Sequence, residues 1–139
     1  MAGALATVMV VLCLGGMSGC SMGKSKQVAE QAVEQVHRQL DAEQFDRIYA
    51  DAGDEFRKAG KAEDAQAYFA AIHKKLGNVK AAHETGYFVN TTLSGTTARV
   101  QYDSEFAEGK AAESFVFSVR GEQATLVGYN INSPTLITK

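Results

Sequence analysis

The sequence predicts an α+β domain in which three helices come first and a four-stranded antiparallel sheet follows. Two changes of pattern carry that reading. Between Val28 and Leu76 apolar residues recur at i, i+3 and i+4, the spacing of one helix face. From Val79 onward they alternate instead, the spacing of a half-buried strand. A third observation sets the N-terminus apart, because residues 1–19 hold no charged side chain.

Val8 to Leu14 is a continuous apolar run, VMVVLCL, followed by Gly15 and Gly16. The apolar stretch is roughly 14 residues, short of the about 20 that a membrane-crossing helix needs. Such a stretch ending in small residues reads as a secretory leader. Met17-Ser18-Gly19-Cys20 resembles a bacterial lipobox, which places a bulky apolar residue and two small ones before a cysteine. The thiol takes the diacylglyceryl group, and the small residues let the signal peptidase approach the backbone. Residues 1–19 are then the signal peptide, Cys20 is the lipidated N-terminus, and 20–26 is a short polar tether. An uncleaved N-terminal anchor helix, or a plain secretory leader with an incidental cysteine, are the alternatives. Cys13 leaves with the leader and Cys20 carries lipid, so the mature domain keeps no free thiol. By resemblance to sorting in Gram-negative bacteria, Ser21 implies an outer-membrane protein facing the periplasm.

The domain is expected over residues 27–133, with 134–139 as a tail. Val28, Ala32, Val36 and Leu40 mark the first helix face. Phe45, Ile48, Tyr49, Ala52 and Phe56 mark the second, and Ala65, Tyr68, Phe69, Ile72 and Leu76 the third. Asp41 with Gln44 is expected to cap the second helix. Gly53 is expected to kink that helix, Gly60 to end it, and Gly77 to close the third. Glu34–Arg38, Glu43–Arg47 and Asp54–Lys58 stand at favourable i,i+4 spacing.

The first strand contains Tyr87-Phe88-Val89 and turns at Ser94-Gly95. In the second, Ala98, Val100, Tyr102 and Phe106 share one face. Gly109-Lys110 is the next turn, after which Glu113, Phe115, Phe117 and Val119 share a face. Gly121-Glu122 turns into the last strand, Leu126 to Ile131, which Pro134 is expected to end. Short turns between alternating strands read as a meander with one wet face.

Composition narrows the function. Fourteen Lys and Arg against sixteen Asp and Glu leave a net charge of −2, without the positive surplus a nucleic-acid binder uses to release counterions. The sequence holds no P-loop, GxGxxG or paired CxxC motif. His37 and His73 fall one position past the apolar stripes and read as solvated helix flanks, and His83-Glu84 does not continue into HExxH. No metal or cofactor is expected from these patterns.

Glu113 stands out because its face is apolar. A carboxylate there is either a ligand contact or general base in a helix–sheet pocket with Tyr102 and Tyr129, or it sits at a frayed strand start or pairs with a cation such as Lys110. Tyr68 and Tyr87 could join such a pocket, although tyrosines at these spacings usually fill the core or its rim.

Leu76-Gly77-Asn78-Val79, Val100-Gln101-Tyr102-Asp103 with Phe106, Gly109 with Glu113, and Gly128-Tyr129-Asn130-Ile131 follow one another in order along roughly residues 28–132. That order is similar to a family of small bacterial exported domains of unknown function, many of them lipoproteins, within the nuclear-transport-factor-two-like (cystatin-like) superfamily. The resemblance implies a curved sheet and an envelope address, but no reaction. The sequence therefore points to a lipid-anchored, non-catalytic binding module with an envelope protein as partner. The alternative is a small-molecule binder or weak enzyme using the pocket around Glu113. A third reading is a homodimer formed through the open sheet face.

Overall fold

The computed structural model describes residues 20–138, with side chains from Gly23 onward. The expected leader, residues 1–19, therefore lies outside the described residues, as does the side chain of Cys20. Among the described residues four helices precede the sheet: α1 (Cys20–Asp41), α2 (Phe45–Asp51), α3 (Asp54–Ala59) and α4 (Ala62–Leu76). The sheet comprises β1 (Val79–Thr92), β2 (Gly95–Phe106), β3 (Gly109–Arg120) and β4 (Gln123–Asn132), and α5 (Pro134–Thr138) follows it. The strands lie in sequence order and every pairing is antiparallel. The α+β class and the meander match the sequence reading, but the expectation of three helices, all N-terminal, needs correction.

Each correction has a local cause. α1 begins at Cys20, so residues 20–26 are helical where an extended tether was expected. Those residues carry no apolar stripe, which is why periodicity misses them. Ion pairs hold them down: Lys24 Nζ lies 2.9 Å from Glu122 and Lys26 Nζ 3.1 Å from Glu84. The two lysines are thus paired within the chain. Asp41 does not cap the second helix. It ends α1, and its Oδ1 accepts a 2.9 Å bond from the Val79 amide. Gln44 precedes α2 without a side-chain cap bond.

The second helix breaks where a kink was expected. Ala52 and Gly53 are extended (ψ 161° and 167°), and the Gly53 amide donates to the Leu126 carbonyl at 2.7 Å. Asp54 then pairs with Arg57 rather than Lys58. Pro134 opens α5, where its missing N–H costs nothing. Gly77 closes α4 as expected. Its φ of 73° and ψ of −159° are open essentially to glycine alone.

Three bulges interrupt the ladders, at Lys80 and Thr85 in β1 and at Val127 in β4. The latter two lie beside a glycine inside the strand, Gly86 and Gly128. A bulge also resets the alternation. Val127 is the extra residue, so Leu126 and Tyr129 both pack against the core although they are three positions apart. Val33, Leu40, Ile48, Phe69, Ile72 and Leu76 from the helices meet Val100, Phe115, Phe117 and Leu126 from the sheet. At about 1.5–3 kcal/mol for each large side chain fully buried, this layer supplies the main folding drive.

Candidate functional site

The inner sheet face is mostly apolar, and Glu113 is the carboxylate at its centre. Glu113 is the fifth residue of β3, well inside the strand, and is only 2% exposed. It is therefore neither at a frayed end nor paired with Lys110, whose Nζ instead lies 3.2 Å from Glu105. Three elements bring donors to it. His37 of α1 approaches Oε2 through Nε2 at 2.8 Å. Ser104 of β2 donates to the same oxygen at 2.5 Å, and Tyr129 of β4 donates to Oε1 at 2.7 Å.

These contacts decide the charge on Glu113. Burial pushes its carboxyl pKa up, but the His37 hydrogen bond and charge, with the Ser104 and Tyr129 bonds, outweigh that and hold it below the usual carboxylate range. An ionised carboxylate only accepts, so His37 carries its proton on Nε2 in this arrangement. Burial, followed by the Glu113 charge and its hydrogen bond, holds the Tyr129 phenol well above 10.0, so it stays a neutral donor. Phe115 seals the group, its ring centroid 5.6 Å from His37 and 5.0 Å from Tyr129.

Of the residues expected to share a pocket, Glu113 and Tyr129 are joined directly. Tyr102 is the register partner of Glu113 and packs edge-on to Phe115 at 6.1 Å. Its phenol responds to a different neighbourhood: burial, then the charges of Glu84, Glu30 and Glu34, raise its pKa to about 12. Tyr68 stands half-exposed, 6.2 Å from the Tyr129 ring. The hollow between α1, α2 and the sheet, lined by Val36, Ile48, Phe117 and Leu126, is about 70 Å³. A ligand would have to displace Ser104 or Tyr129 to reach a Glu113 oxygen.

His37 is the clearest miss of the sequence reading. It was expected to be a solvated flank, yet it is buried and forms the chief contact of Glu113. Its position just beyond the Val36 stripe was the available signal, since α1 crosses all four strands and its buried face is wide. Ser104 was also missed, although it alternates with Tyr102 and Phe106 on the inner face. His73 meets Asn78 at 2.8 Å, and His83 is exposed on the opposite sheet face. Among the described residues no group of three metal-ligating side chains comes together.

A second polar cluster joins α1 to β1. The Thr85 bulge lets Glu84 and Tyr87 face the same way, and the Lys26 Nζ lies 5.8 Å from the Tyr87 ring centre as well as against Glu84. Glu84 Oε2 and the Tyr87 hydroxyl are buried there without a hydrogen-bond partner. On the outer sheet face, towards the β2–β3 turn, lies an open groove of about 590 Å³. Its lining includes His83, Asp103, Glu105, Lys110 and Asn132.

Compared with protein-family models and with curated proteins, the chain matches none.

Proposed function

We propose that this protein is a lipid-anchored binding module of the bacterial cell envelope, acting through its outer sheet face rather than through chemistry in its interior. The compartment rests on the Met17-Ser18-Gly19-Cys20 tetrad, with Ser21 favouring the outer membrane and a periplasmic orientation. The finer fold reading, a nuclear-transport-factor-two-like (cystatin-like) domain, rests on the order of helices and meander.

The observation that carries the binding-module reading is the saturation of Glu113. Both of its oxygens are held by the chain's own donors. Ligand pockets usually enclose about 300–1,000 Å³; the hollow lined by Val36, Ile48, Phe117 and Leu126 offers about 70 Å³, and the helix-side hollow of about 540 Å³, between α1 and the start of β4, is not lined by Glu113. The outer groove is large enough, and its imidazole, carboxylates, ammonium and amide suit a polar protein surface.

One experiment tests both parts. A photo-crosslinking amino acid at Asp103 in the full-length protein is expected to capture an envelope protein. The adduct is expected to depend on Cys20, and the same probe at Lys58 of α3 is expected to give none. Palmitate incorporation in the parent and its absence in Cys20→Ser report the anchor separately. An identical set of adducts from both probe positions would sink the binding reading; a chain without palmitate would sink the address.

A further inference from the structure

The turns of the meander fall at two poles. Thr92 pairs with Gly95, Thr96 with Val119, and Arg120 with Gln123. The β1–β2 turn at Leu93-Ser94 and the β3–β4 turn at Gly121-Glu122 therefore share one pole. The β2–β3 turn and α5 lie at the other.

α1 fixes which pole is nearer the N-terminus. At one end Asp41 bonds the Val79 amide, and at the other Lys24 pairs with Glu122. The helix thus points its N-terminus towards the pole of the two hairpin tips. At 1.5 Å per residue, the Cys20 backbone lies about 6 Å further along the axis than Lys24.

The β1–β2 tip has the chemistry of a lipid contact. Residues 85–98 contain no charged side chain, although 22% of the chain is charged. At its apex Leu93 is fully exposed, between threonines and Ser94-Gly95. Uncharged hydroxyl-bearing residues can enter the headgroup layer without the desolvation cost of an ion. A leucine gains from reaching the acyl boundary.

We infer that the β1–β2 hairpin tip, led by Leu93, is a second membrane contact that seats the domain on the bilayer holding its lipid. This rests on the reading of Cys20 as acylated. It gives the protein a second point of attachment beside the diacylglyceryl group, and two points fix how the domain is turned on the bilayer where one leaves it free to swivel. A competing use of the same uncharged segment is antiparallel pairing of β1 edges from two copies. With the strands standing off the bilayer, that pairing would send the two hairpin tips, and the two Cys20 residues, in opposite directions. Two proteins anchored in one leaflet cannot form it in that pose.

The chain has no tryptophan, so Leu93→Trp introduces a single reporter at an exposed position. The control is Ile137→Trp, because Ile137 is 82% exposed and belongs to α5 at the opposite pole. Each full-length acylated variant is reconstituted into phosphatidylethanolamine–phosphatidylglycerol vesicles with brominated acyl chains, and flotation is scored on the same sample. The expected result for Leu93→Trp is a blue shift and loss of most indole emission relative to unbrominated vesicles. Emission from Ile137→Trp is expected to stay unchanged. Vesicles that carry the Leu93→Trp variant to the top with its emission unquenched overturn the hairpin contact and leave the lipid anchor standing. Failure of the acyl-bearing chain to float removes the anchor and the hairpin contact together. A Leu93→Trp indole that is blue-shifted but unquenched on the vesicles, and equally shifted in detergent, overturns the lipid contact in favour of contact with a second copy of the chain.

Discussion

Replacing Glu113 by Gln keeps the shape of the side chain and removes its charge. A Gln amide has one accepting oxygen, and its NH₂ would face donors from His37, Ser104 or Tyr129. Leaving a buried polar group unsatisfied costs about 1–3 kcal/mol, and more when a charge was involved. Glu113→Gln is expected to lower unfolding stability by about 3 kcal/mol, read from urea melts. His37→Ala is expected to cost about 3–5 kcal/mol, since it strands a buried carboxylate. The same group sets an acid limit. Its folded pKa lies below the ordinary 4.5, so its stabilisation is complete above that value and is lost as pH falls through the folded pKa. The urea midpoint is expected to drop below pH 4.5, and this part of the drop is expected to vanish in Glu113→Gln. Burial and the Glu113 charge raise Tyr129, which gives the opposite sign: its contribution holds below pH 10.0 and fades above it. Glu113 was legible as an anomaly, a carboxylate in an apolar alternation. Its partners come from positions 37, 104 and 129, and no local pattern pairs residues that far apart.

The elements were legible where periodicity governs them and illegible where a single polar contact does. α4 and the Gly121-Glu122 turn follow from apolar spacing and a turn glycine, whereas the other two turns fall at Leu93-Ser94 and Ala107-Glu108, ahead of the expected Ser94-Gly95 and Gly109-Lys110, because Gly95 and Gly109 already pair as the first residues of β2 and β3. The break at Gly53 follows instead from one amide reaching the Leu126 carbonyl, a partner on the last strand of the sheet. Gly53→Pro is compatible with the local φ of −73° but deletes that donor and crowds the carbonyl. It is expected to cost at least about 1 kcal/mol despite the entropy gained in the unfolded chain, read from urea melts. Gly77→Ala meets a forbidden dihedral and the Ala107 methyl at 3.0 Å. A loss of about 1–3 kcal/mol is expected, read from the thermal midpoint. The bulge at Val127 shows why strict alternation misplaces side chains. Without it, Leu126 and Tyr129 would fall on opposite faces, and Glu113 Oε1 would lose its donor.

At the scale of the whole molecule, the two edges of the sheet differ. The β4 edge is closed at Leu126 by the α2–α3 junction, whereas β1 is an outer strand of 14 residues. Its bulges at Lys80 and Thr85 and the nearby charges of Lys80 and Glu84 discourage edge pairing in its first half. Amide exchange is expected to be slowest in β2 and β3, which are paired on both sides, and faster in β1 beyond Gly86. The class of the fold was readable from the order of periodicities. The poles were not, because they emerge only when register and the run of α1 are combined. The unbroken course of α1 from Cys20 to Asp41 also has a mechanical consequence. A pull applied at Cys20 travels down the rod and loads its packing against the sheet in shear, many contacts at once. The same pull on an extended leash would peel the domain one residue at a time.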